Sequence, residues 1–231
     1  MKNLLVTLNI NNILTDNAKK SFLFASDKWQ VDFLEFKENF FINYYPSFNK
    51  FKILESFSDY DRVLFLDADT LINHLAPNPF LSYFGDFCAV KDVHYKNINF
   101  ILENKIDLDY LTPYFNFIRK TIDFKVNNNY IINFFNSGVM MFTPSKIYDI
   151  IQKNKKLLPN INDENKLHLI SHYEQALLNY IIQNNCTIEF MDSKWNVIDP
   201  DVEKEMNGFI YHFTGKKNDF LKTKINSYIW K

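Results

Sequence analysis

Glycine is scarce in this chain: only four occur in 231 residues, at positions 85, 138, 208 and 215. Such a chain keeps glycine mainly where the backbone needs positive φ or close approach, so the surroundings of Gly138 and Gly215 carry information. Cysteine is scarcer still. Cys88 and Cys186 stand far apart with no metal-ligand spacing, which points to reduced thiols in a cytoplasmic protein. There is no basic block and the net charge is −1, so the electrostatic footprint of nucleic-acid binding is missing. No apolar run approaches the roughly 20 residues of a membrane span. The segment Met1-Lys2-Asn3-Leu4-Leu5-Val6-Thr7-Leu8 has too short an apolar run for a secretion signal, and Asn9, Asn11 and Asn12 follow at once. The expectation is a soluble, cytoplasmic protein.

Aromatic residues, by contrast, are abundant at 17%, with 24 Phe and 13 Tyr. Most must be core, although rings also line sugar and base sites. The length suits one substantial α/β domain and would crowd two. Leu4 to Leu8 reads as a strand, and Thr15-Asp16 offers an N-cap for a helix through about Ala25. Val31 to Phe36 is a second strand, Phe48 to Phe57 a second helix, and a third strand ends at Asp67. This β-α-β-α-β rhythm predicts a Rossmann-like sheet. Further along, Phe87 to Val90 reads as a strand, Pro144 or Ser145 opens a helix, and Ser171 to Gln183 forms another.

The densest chemical signal is Arg62-Val63-Leu64-Phe65-Leu66-Asp67-Ala68-Asp69-Thr70. An unbroken apolar run is consistent with a strand buried on both faces. Asp67 and Asp69 then fall where the strand runs out, at the end of the sheet where open α/β folds place ligands. Two hard oxygen donors there can share a divalent cation, which can in turn neutralise a diphosphate. A solvated turn is the plain alternative.

Three other clusters stand out. Phe134-Phe135-Asn136-Ser137-Gly138-Val139 sets a polar, glycine-containing kink inside an apolar strand. It reads either as a β-bulge with a satisfied Asn or as backbone brought close to a ligand, with Asn136 bonding it. Glu174-Gln175 opens a helix, where an acid is favoured by the dipole alone. Tyr211-His212-Phe213-Thr214-Gly215-Lys216-Lys217 joins an imidazole to a glycine and two lysines, either a satisfied His or a metal ligand beside phosphate-binding cations.

Leu66-Asp67-Ala68-Asp69-Thr70, Phe135-Asn136-Ser137-Gly138-Val139 and His212-Phe213-Thr214-Gly215-Lys216-Lys217 occur in the order found in family 8 retaining glycosyltransferases, which the chain resembles from Pro46 to Lys217. These are the glycogenin-like enzymes and the bacterial lipopolysaccharide galactosyl- and glucosyltransferases. The resemblance implies a single GT-A type, Rossmann-like α/β domain over 1–231, with a central mixed, mostly parallel sheet. Residues 1–92 would form the nucleotide-sugar half and 93–231 the acceptor half. It also implies transfer of a hexose, glucose or galactose, from a UDP-sugar with retention, to a glycan, lipid-linked or protein acceptor.

Residue by residue, the resemblance makes Asp67, Asp69 and His212 the ligands of Mn²⁺, or Mg²⁺ in its place. Lys50 takes the position of a cation that contacts the donor. Asp92 and Asn136 correspond to the residues that hold the transferred sugar, and Glu174-Gln175 to the pair beside its reacting face. Ala68 and Gly138, inside the motifs, are carried over as donor contacts. Gly215 and Lys217 correspond to the phosphate clamp, and Thr7 and Asn12 fall in the base-recognition segment. Three positions depart from the family pattern. Glu174 stands where Asp is usual, Asn218 stands at the clamp-lysine position, and Thr7 to Asn12 replaces an acidic segment.

Two alternatives accompany this reading. One is a non-catalytic sugar-nucleotide-binding protein. The other is a haloacid-dehalogenase-type phosphatase, which needs Thr four residues after the first Asp, where this chain has Leu71. The aromatic stretch 95–133 reads as a helical lid over the acceptor site or as an extra packing layer. The tail Phe220 to Lys231 carries lysines with Tyr228 and Trp230, suited to simple packing or to weak contact with a membrane surface.

Overall fold

The computed structural model describes residues 1–92, 134–158, 173–198 and 207–214. The aromatic stretch 95–133, read above as a lid or a packing layer, lies outside the described residues, as do Gly215, Lys216, Lys217 and the C-terminal tail.

The predicted β-α-β-α-β unit is present. β1 (Asn3–Leu8), α1 (Asp16–Trp29), β2 (Asp32–Phe36), α2 (Asn49–Leu54) and β3 (Arg62–Leu66) follow in order. They are joined by β4 (Thr70–Ile72), β5 (Phe87–Lys91), β6 (Phe135–Phe142), α3 (Pro144–Asn154), α4 (Tyr173–Asn185), β7 (Ile188–Met191), β8 (Val197–Ile198) and β9 (Ile210–His212). The central sheet runs β2-β1-β3-β6-β5-β7. β1 is parallel to both β2 and β3, and β5 is parallel to β7, whereas β6 is antiparallel to both its neighbours. The sheet is thus mixed and mostly parallel, as expected.

The central strands show why they need no polar alternation. Leu4, Val6, Val63, Phe65, Met140 and Phe142 enter a core with α2, α3 and α4 on one face. Leu5, Leu64, Leu66, Val139 and Met141 enter a second core with α1 and Trp195 on the other. Successive side chains of a strand point to opposite faces, so each strand feeds both cores. Each fully buried Leu or Phe contributes roughly 1.5–3 kcal/mol.

Helix limits differ from expectation at both helices of the first half. Thr15 caps α1 by accepting from the Ala18 N–H at 3.2 Å, as predicted. The helix then runs on to Trp29 because that indole is buried, 6.4 Å from the Trp195 ring, and it stops at Gln30 with φ 55°. α2 is shorter than the expected Phe48 to Phe57: a 3₁₀ turn over Pro46–Phe48 precedes it and Phe57 has φ 69°. The small sheet β4-β9-β8 was not expected, since strands of two or three residues carry no periodicity. Among the described residues no helix is long and apolar enough to cross a membrane.

Candidate active site

The second sheet builds the site. β3 ends at Leu66, and the Asp67 N–H extends its ladder by bonding Gly138 O at 2.9 Å. The chain then turns sharply, with Thr70 donating to Asp67 O through both its N–H (3.2 Å) and its hydroxyl (2.7 Å). β4 leaves the turn antiparallel to β9, with Thr70 opposite His212, and Phe213 N–H bonds Asp69 O at 2.9 Å. Carboxylates and imidazole more than 140 positions apart in sequence are thereby fixed at one place. His212 Nε2 lies 3.1 Å from Asp69 Oδ1 and 3.8 Å from Asp67 Oδ2. One ligand atom from each of the three residues lies within 4.8 Å of the other two.

The kink in β6 supplies the opposite wall. Ala89 of β5 pairs with Met140, but Lys91 pairs with Phe135 where regular pairing would meet Gly138. The residues Asn136, Ser137 and Gly138 are therefore released from the β5 ladder. Their backbone finds side chains instead: Ser137 N–H donates to Gln175 Oε1 (3.0 Å) and Gly138 N–H to Asn136 Oδ1 (2.8 Å). The bulge reading holds, with its polar groups satisfied, and Asn136 and Ser137 also line a cavity. Asn179 clamps the edge of the bulge, accepting from Phe135 N–H and donating to Phe135 O.

Lys50 joins the two walls. Its Nζ is 3.0 Å from Asp67 Oδ1 and from Oδ2, 3.1 Å from Ser137 Oγ and 3.5 Å from Glu174 Oε1, with the side chain only 4% exposed. Burial opposes its charge, but Asp67, Glu174 and Asp69 outweigh burial and raise its pKa. Burial likewise disfavours the imidazolium of His212, yet the hydrogen bond and charge of Asp69, with Asp67, raise its pKa. Asp69 resists its own burial through the His212 hydrogen bond and the neighbouring cations, which hold it below the usual carboxylate range.

These groups face a cavity of about 490 Å³. Asp67, Asp69, His212, Lys50, Asn136 and Glu174-Gln175 line it, together with Ala68, Ser137 and Thr214. Asp92 stands behind, buried, where it accepts from Gln175 Nε2 (3.0 Å) and Asn136 Nδ2 (3.4 Å). Gly138 does not line the cavity; the His212 ring packs against it, and a Cβ at 138 would collide with that ring. Thr7 is wholly buried in β1 and Asn12 is exposed, and neither lines the cavity; Asn11, Ile10 and Ile13 do so in their place.

Ser137, Asn179 and Asn196 were not singled out from the sequence. Asn196 is 3% exposed and bonds both His212 and Asn136. Its only sequence signal is an amide set between Trp195 and Val197, the same polar-in-apolar pattern that marked Asn136.

The donor set suits a divalent metal. Two carboxylates and one imidazole can hold a divalent cation, and both carboxylates open onto the cavity, where a ligand's oxygens would complete the shell. Glu174 Oε2 adds a second mark of a ligand. It is buried and has no hydrogen-bond partner among the described residues.

Comparison with known proteins agrees with this geometry. No curated protein matches the chain in sequence. Its fold is similar to the galactosyltransferase LgtC, solved with donor and acceptor sugar analogs, at 12% identity and a TM-score of 0.56, covering 97% of this chain and 96% of that one. It is also similar to a glycosyltransferase involved in glycosylation of the major capsid of PBCV-1, at 11% identity and a TM-score of 0.60, covering 98% and 100%. A third similar structure is the bifunctional glycosyltransferase WbbM, at 14% identity and a TM-score of 0.60, covering 99% of this chain and 50% of that one. The model of glycosyl transferase family 8 matches residues 8–217, and the chain belongs to that family.

Proposed function

We propose that this chain is a metal-dependent retaining hexosyltransferase that moves glucose or galactose from a UDP-sugar to a glycan, lipid-linked or protein acceptor. The observation that carries the reading is the meeting of Asp67, Asp69 and His212 with Lys50, Glu174 and Gln175 around one cavity. Family membership sets the phosphatase alternative aside. An intact carboxylate at 174, lining the cavity, favours an enzyme over a binding protein.

Asp67, Asp69 and His212 would hold Mn²⁺ or Mg²⁺. When bound, the cation supplies positive charge to a diphosphate leaving group, whose negative charge grows as the glycosidic bond breaks. Lys50 adds a fixed ammonium on the same side, stabilising that charge most in the transition state. Gln175 and Asn136, held by Asp92 and by backbone N–H groups, present oriented amides to the sugar hydroxyls. Glu174 Oε2, which has no hydrogen-bond partner among the described residues, would face the positive charge that develops at the anomeric carbon.

In this reading residues 1–92 bind the nucleotide, while 93–231 complete the sugar and acceptor sites. The free thiols Cys88 and Cys186 support a reducing, cytoplasmic setting. The clamp role of Gly215 and Lys217, the lid and the membrane-facing tail belong to the same proposal.

The test is calorimetry of UDP, GDP and UDP-glucose with and without Mn²⁺, on wild type and Asp69→Ala. Manganese-dependent UDP binding that disappears in the variant is expected. Metal-independent binding, or none, would overturn the reading.

A further inference from the structure

The hydrogen-bond network behind the cavity fixes its own polarity. Gly138 N–H is a backbone donor, so the Asn136 side-chain atom 2.8 Å from it must be the oxygen. That oxygen receives a second bond, 2.9 Å, from Asn196, which must therefore present its Nδ2 there. The remaining atom of the Asn196 amide, Oδ1, then faces His212 Nδ1 at 3.1 Å. An amide oxygen only accepts, so Nδ1 of His212 carries the proton. In neutral imidazole this leaves the lone pair on Nε2, the nitrogen that faces Asp69 and Asp67.

The same logic holds on the sugar side. Ser137 N–H fixes Gln175 Oε1 as acceptor, so Gln175 Nε2 donates to Asp92, which also takes the Asn136 Nδ2 bond. A continuous chain thus runs His212–Asn196–Asn136–Asp92–Gln175, every member at most 8% exposed. Its direction is anchored at two backbone N–H groups of the β6 bulge.

We propose that Asn196 is a positioning residue of the metal centre. It holds His212 in the tautomer and ring orientation that aim Nε2 at the cation, and it couples metal occupancy to Asn136 and Gln175 in the sugar pocket. The proposal rests on the metal-binding reading above. Partners that orient a metal-ligating His commonly set metal affinity 10- to 100-fold. Asn196 also reports across the site, because a ring shift at His212 moves the amide whose Nδ2 donates to Asn136 Oδ1.

The experiment is Mn²⁺ titration, by calorimetry and electron paramagnetic resonance, of wild type, Asn196→Ala and Asn196→Asp. Folding is checked by circular dichroism. Asn196→Ala should bind Mn²⁺ roughly 10- to 100-fold more weakly. Asn196→Asp keeps an acceptor for Nδ1–H and should stay within a few-fold of wild type, while losing the donor to Asn136 and with it tight UDP-sugar binding. In ¹⁵N-histidine protein loaded with Zn²⁺, a protected Nδ1–H signal of His212 should be present in wild type and Asn196→Asp and absent in Asn196→Ala. Wild-type affinity and a protected signal in Asn196→Ala would overturn the role of Asn196 alone. Absence of Mn²⁺ binding by wild type would overturn the functional reading and this proposal with it. If Asn196→Ala fails to fold, an Asn196→Asp protein that folds but binds Mn²⁺ as weakly as Asp69→Ala overturns the proposal.

Discussion

Gly138 and His212 are in contact across the site, and the contact admits no side chain at 138. A Cβ there would stand 2.8 Å from His212 Nδ1, closer still to Cε1, and 2.9 Å from Asn136 Oδ1. Gly138→Ala must push the imidazole out of line with Asp67 and Asp69. Overpacking a filled interior costs about 1–3 kcal/mol. The expected outcome is a folded protein, destabilised by that amount in urea unfolding, with Mn²⁺ affinity lowered at least tenfold in calorimetry.

Lys50 neutralises Asp67 and Glu174 from a buried position. Removing one member of a buried ion pair leaves the other charge uncompensated, at a cost of about 3–5 kcal/mol. Lys50→Met should therefore lower the stability of the metal-free protein by about that much. Added Mn²⁺ should restore part of it, because a cation on Asp67 replaces the lost charge. Denaturant unfolding with and without Mn²⁺ measures both effects.

Glu174 is nearly isosteric with Gln, so Glu174→Gln removes charge while preserving shape. If its free oxygen stabilises developing positive charge, kcat for sugar transfer should fall about 10²- to 10³-fold. KM for the UDP-sugar should change little, since the loss lies in the transition state. An equal rise in KM with unchanged kcat would assign Glu174 to ground-state binding.

Away from the site, Glu35 gathers three donors. Lys19 Nζ lies 2.6 Å away, Asn9 Nδ2 3.0 Å and Lys37 Nζ 3.3 Å. The Lys19 hydrogen bond leads, outweighing burial with help from Asn9 and Lys37, and draws the pKa from 4.5 down to about 2. A depressed carboxylate stabilises the fold fully above its unfolded pKa and loses that contribution as pH falls through the folded one. Melting temperature should thus drop between pH 4.5 and 2 more steeply in wild type than in Glu35→Gln.

How much of this was legible beforehand follows from the range of each signal. The apolar run Val63 to Leu66 ending in Asp67 announces a buried strand and its mouth, because strand burial and chain reversal are local events. The Asn-Ser-Gly kink is legible for the same reason: polar residues inside an apolar strand require partners. Helix α2 was overextended because Phe57 has the apolar character of a helix face but a left-handed backbone, which composition does not reveal. The polar-in-apolar pattern at Asn196 did not give its role, because its partners, Asn136 and His212, lie 60 and 16 positions away.

By itself, then, the sequence determined the α/β unit and the placing of Asp67 and Asp69 at a strand end, and through its resemblance to a family it pointed to His212 as their companion. The tertiary structure alone decided that Thr70 pairs with His212, that Lys50 is buried between Asp67 and Glu174, and which way each amide points. Those outcomes depend on strand register and on satisfying every buried donor at once, and both are properties of the packed chain.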